Sequence, residues 1–67
     1  MYKLVLTVVI NSRAFTKMFD VNDLSSLPEF IPKVVVEMHE EYLKGVAPKY
    51  VSMIKVTSVS HSILPIS

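Results

Sequence analysis

Two histidines and six carboxylates are the residues of this 67-residue chain most able to do chemistry, and their spacing decides what that chemistry could be. His39-Glu40-Glu41 opens like a zinc-protease signature, in which two histidines four residues apart on one helix face hold the metal and the glutamate between them activates water. Leu43 stands where the second histidine would have to be, so His39 reads as a helix residue beside a solvated face. His61 lies between Ser60 and Ser62. A hydroxyl nucleophile built there would need an acid to orient the ring and a strained turn to expose the serine, and neither is close in sequence. With Gly45 as the single glycine there is no glycine-rich phosphate cradle. The expectation is a non-enzyme with no catalytic, metal-binding or cofactor-binding residues and no cofactor.

The charges themselves are sorted. Lys3, Arg13, Lys17, Lys44, Lys49 and Lys55 lie outside residues 20 to 41, whereas all six acids (Asp20, Asp23, Glu29, Glu37, Glu40 and Glu41) lie inside. The net charge of +1 thus hides a basic part and an acidic part, which predicts an acidic helical layer against a basic strand layer.

These residues must be positioned by a very small fold. A chain of this length forms one domain and buries only roughly 60% of its unfolded surface, so self-association or a partner is the expected reinforcement. There is no cysteine for a disulfide, and 51% hydrophobic residues place the chain far from the composition of disorder. The apolar run Leu4–Ile10 has seven residues and no small-x-small cleavage site after it. It reads as a strand and not as a signal peptide. No stretch approaches the roughly 20 apolar residues that span a bilayer, and a cytoplasmic protein without a membrane partner is the expectation.

Residues 2 to 10 are apolar on both parities, as a central strand is. A two-residue turn at Asn11-Ser12 would set a second strand, 14 to 21, with Phe15 across from Val8 and Phe19 across from Leu4, and would bring Lys17 to the core face as well. An inward lysine on an outer strand discourages edge-to-edge pairing, which favours that register. From Leu24 the spacing changes to Leu24, Leu27, Ile31, Val35, Met38, Tyr42, one face of a helix, opposed by Lys33, Glu37, Glu40 and Lys44. Ser26 and Glu29 have capping-box spacing, Gly45 is the natural stop, and Pro32 either starts the main helix or kinks it. Residues 50 to 59 read as a third strand. The fold class is α+β: a ββαβ domain over 1 to 59, with a three-stranded antiparallel sheet in the order 2-1-3 packed on one helix, and an uncharged tail over 60 to 67.

One helix covers one face of such a sheet. Val5, Thr7, Val9, Val51, Met53 and Thr57, with Lys3 and Lys55 at the strand ends, are the expected partner-binding residues on the uncovered face. Glu37, Glu40 and Glu41 on the helix are a second candidate surface. Another protein is the expected partner, with a homodimer as a compatible outcome. A nucleic-acid module is the alternative, since Tyr2, Phe15, Phe19 and Tyr50 are interleaved with Lys3, Arg13, Lys17, Lys49 and Lys55 and rings on a basic sheet can stack bases.

In its layout, a hairpin over 2 to 21, one helix ending before Gly45 and a strand over 50 to 59, the chain resembles the short phage-encoded proteins that bind and inhibit host enzymes, among them ββαβ inhibitors of bacterial RNA polymerase. That resemblance implies action by occlusion of a partner's functional surface, in a host cytoplasm, without catalysis. It carries no shared functional residues onto this chain.

Overall fold

The computed structural model describes residues 1 to 66. Strands β1 (Tyr2–Ile10) and β2 (Arg13–Val21) form a hairpin, helix α1 spans Leu27–Leu43, and strand β3 spans Val56–Pro65. The sheet is antiparallel throughout with β1 in the middle, in the order β2-β1-β3, so the α+β class and the strand order are as expected.

The hairpin turn contains two residues. Asn11 and Ser12 both have positive φ, 52° and 64°, the handedness that lets a two-residue loop follow the twist of its strands. This turn sets the register: Leu4 opposes Phe19, Leu6 opposes Lys17 and Val8 opposes Phe15. Because serine carries a Cβ into the left-handed region, Ser12→Gly is expected to stabilise the fold by about 0.5–1 kcal/mol. Urea denaturation would measure this, and a destabilised variant would mean that the Ser12 side chain matters more than its φ.

Alternation along β1 creates the core. Leu4, Leu6, Val8 and Ile10 are fully buried beneath α1, and the residues between them face the other way. The helix contributes Leu27, Val34 and Met38 as its buried residues, with Phe30, Ile31, Val35 and Tyr42 packed around them. The expected stripe thus holds from Leu27 to Tyr42 and is widened by Phe30 and Val34, with Phe19 on the helix side of β2 taking Phe30 as an edge-on partner, ring centroids 5.2 Å apart. Leu24 is left exposed.

Several local expectations are corrected. The capping box does not form: Ser26 Oγ donates to the Asp23 carbonyl, and Asp23 instead caps a 3-10 turn, Leu24–Ser26, by accepting from both Ser25 N–H and Ser25 Oγ. Those two bonds, the hydroxyl one first, hold the Asp23 carboxyl below its ordinary value. Helix α1 then runs through Pro32, whose missing N–H leaves the Pro28 carbonyl without its helical donor. Gly45 stops the helix with a tight turn, its N–H donating to the Tyr42 carbonyl at 3.2 Å, and without the positive φ of a left-handed cap.

The third strand lies later than expected, sharing residues 56 to 59 with the expected 50 to 59. Residues Pro48–Met53 form a 3-10 segment, started by a proline that has no N–H to give a sheet and held by a bond from Tyr50 N–H to the Ala47 carbonyl at 2.9 Å. The strand itself begins at Val56, so the residues expected as a tail are part of the sheet as far as Pro65. Ser67, the last residue of that expected tail, lies outside the described residues. A bulge at Thr57 lets β3 enter, with Val56 opposite Ile10 and Ser58 opposite Val9. No helix among the described residues is long and apolar enough to cross a membrane.

Candidate functional site

The face of the sheet turned away from α1 is left uncovered among the described residues. On β1 it presents Lys3, Val5, Thr7 and Val9, all partly exposed. Cross-strand neighbours in an antiparallel sheet point to the same face, so the pairings extend each of these into a row. Val9 lies between Ala14 and Ser58, Thr7 between Thr16 and Ser60, Val5 between Met18 and Ser62, and Lys3 between Asp20 and Leu64. Every flanking residue on β2 and β3 is exposed.

The chemistry of this face is uniform. Apolar side chains, the large Met18 and Leu64 among them, are interspersed with hydroxyls, and Thr7 and Thr16 hydrogen-bond to each other across the hairpin at 3.0 Å. Among the described residues its only charges are Lys3 and Asp20, which pair at 3.3 Å. That pair is well exposed and so contributes little to stability, but it neutralises the one charged end. The face has no net charge and no aromatic ring.

The other expected contact residues are scattered. Val51 and Met53 are exposed on the 3-10 segment, where strand parity does not apply, and Lys55 sits in the link before β3. Thr57 is the bulge residue, its hydroxyl donating to the Val9 carbonyl at 3.3 Å. Glu37, Glu40 and Glu41 are exposed along α1, and Glu41 pairs with Lys44 at 3.3 Å. Ala14, Thr16, Met18 and Asp20 on β2 and Ser58, Ser60, Ser62 and Leu64 on β3 complete the open face and lie outside the expected set. The hairpin register implies the β2 residues, and the period-two serines are the signal for β3.

The expected basic strand layer forms only in part, since Lys49 and Lys55 lie outside the strands and the other three cations divide between the two faces of the sheet. Lys3 is on the open face, whereas Arg13 and Lys17 oppose Ile10 and Leu6 and so belong to the helix side. Lys49 lies over its neighbour Tyr50 at 5.0 Å from the ring centroid. Phe15 and Phe19 lie on the core side, as the hairpin register requires, and pack edge-on against Tyr42 and Phe30 at 5.7 and 5.2 Å, which removes them from the rings that the alternative nucleic-acid reading would need. A shallow hollow does bring Phe15, Lys17 and Tyr42 together, but Glu41 shares it, which opposes a phosphate.

The histidines have structural surroundings. His39 Nε2 stands 3.0 Å from the Ile54 carbonyl, an atom that can only accept, so this nitrogen carries the proton and ties α1 to the segment before β3. His61 opposes Leu6 on the helix side of β3, beside an apolar groove along the start of α1. Among the described residues, no three His, Asp or Glu side chains are grouped so as to hold a metal ion. No protein-family profile, curated protein or solved structure matches the chain.

Proposed function

We infer that the protein is a non-catalytic interaction module of the cytoplasm, an inhibitor or modulator that lays its open sheet face on a larger protein and occludes the surface beneath. One observation carries this reading: a pleated face of three strands, half apolar and electrically neutral, has no layer upon it among the described residues. Three strands at about 4.8 Å spacing and nine residues at about 3.3 Å give a footprint on the order of 400 Å². That is about half of what each partner contributes to a standard interface, so the fitting partner is a protein that also reaches the rim of the face. The ββαβ layout, through its resemblance to small inhibitors of host enzymes, supports the same mode of action.

Affinity capture from the native host tests the reading, with substitutions on two surfaces compared. Val5→Glu with Thr16→Glu is expected to abolish retention of the partner, because each buries an unpaired charge in the contact. Glu37→Lys with Glu40→Lys on α1 is expected to leave retention intact. Loss only with the helix substitutions would transfer the function to the acidic surface. Retention of DNA or RNA at low salt, released steeply as salt rises, would replace it with nucleic-acid binding.

A further inference from the structure

The two outer strands of the sheet are built differently. β2 carries Arg13, Lys17 and Asp20, and Lys17 lies on its helix side, devices that keep a sheet edge from pairing. β3 has no charged residue over ten positions, Val56–Pro65, and among the described residues no strand lies along its outer side. Between the bulge at Thr57 and Pro65, which blunt its two ends, it therefore presents a row of backbone N–H and C=O groups with no like charge to repel another strand. Its helix side is also unfinished: Val59 and Ile63 are 44% and 36% exposed. They belong to the same side as His61, which with Leu24, Pro28, Ile31 and Pro32 lines an open, charge-free groove.

The amount of surface agrees with a missing neighbour. A folded monomer of 7.6 kDa is expected to expose about 4,300 Å². This chain exposes 4885 Å², in a body measuring 46 × 19 × 16 Å. The excess of about 600 Å² approaches the roughly 800 Å² that each partner loses in a standard interface.

We propose that two copies of the chain pair β3 with β3, antiparallel, about a twofold axis at His61, joining two three-stranded sheets into one of six strands. The register follows from the pleat. Opposed residues point to the same face, so the helix-side rows of the two copies meet only when paired residues share parity. Two such registers overlap over nine residues of β3, centred on Ser60 or on His61, and only the second, with His61 facing His61 of the second copy, sets the apolar residues of the helix side against each other. Val59 then faces Ile63 of the second copy on both sides of the axis, and the two groove-lining helix flanks enclose these apolar pairs. The strand is thus complementary to itself, which an unrelated strand has no reason to match.

This surface is distinct from the open face, so a monomer would overturn the dimer and leave the proposed function standing. The test exploits the absence of cysteine. Sedimentation of the unmodified chain is expected to show a dimer as concentration rises. Under mild oxidation His61→Cys is expected to form a covalent dimer rapidly, since opposed Cα atoms about 5 Å apart lie within disulfide reach. Val59→Cys alone and Ile63→Cys alone should not cross-link, their like positions being about 13 Å apart, whereas the two mixed should. In hydrogen exchange, the outward amides of β3 are expected to slow by about tenfold or more between dilute and concentrated samples. A monomer at every concentration, equal cross-linking by Val59→Cys and His61→Cys, or protection of β3 only when another protein is added would each overturn the proposal.

Discussion

Leu6→Ala is expected to cost about 3 kcal/mol, the usual loss when a fully enclosed leucine is cut back to a methyl. Leu6 lies at the centre of β1, wholly enclosed, in one cluster with Val8, Ile10, Val34 and Met38. The loss combines the transfer of the side chain from water and the cavity left between β1 and α1, a place where two regular elements can collapse only partly. For a chain of this length the whole folding free energy is about 3–10 kcal/mol, so this substitution alone would remove between about a third and all of it. Its neighbour is the control. Val5 faces the open side, and Val5→Ala is expected to cost about 1 kcal/mol or less. Equal midpoints for the two variants in urea denaturation would mean that the two faces of β1 had been assigned wrongly.

Phe19→Ala should rank close behind, at about 2–3 kcal/mol, although Phe19 is only half-buried. Its importance comes from position. The buried residues form two clusters, one around Leu6 and Val8 and one around Leu4, Val21 and Leu27, and Phe19 packs against both, as do Phe30 and Ile31. With Phe30 it makes a nearly perpendicular edge-on pair, at 86°, and such a pair adds about 1 kcal/mol beyond area burial. A double-mutant cycle with Phe30→Ala is therefore expected to show a coupling near 1 kcal/mol. Strict additivity of the two substitutions would show that the rings are not coupled in solution.

Much of this arrangement was legible beforehand because short-range physics dictated it. Asn11-Ser12 admits a two-residue turn, and once that turn is set every residue of β2 has its face. The continuous apolar run of β1 can satisfy both its sides only in the middle of a sheet. The third strand was misplaced because its strongest local signal, Tyr50-Val51-Ser52-Met53, follows a proline that turns the chain instead. The serine-rich segment that does form β3 has little strand preference of its own, and pairing with the buried β1 overrides that. Half of the candidate face was hidden for the same reason. Ser58, Ser60 and Ser62 share a face in any strand, but only the register with β1 turns that face away from the helix, and Val34 and Phe30 become core residues only once Phe19 has chosen its side.

The charged outer edge of β2 has a consequence for how many copies could assemble. Two chains joined through β3 would use up both permissive edges at once, and the resulting sheet would be bounded left and right by the Arg13, Lys17 and Asp20 strands. Growth would stop at two. A strand able to recruit a copy of itself is ordinarily the seed of a fibre, and here the opposite border of the same sheet would act as the terminator that keeps the particle finite.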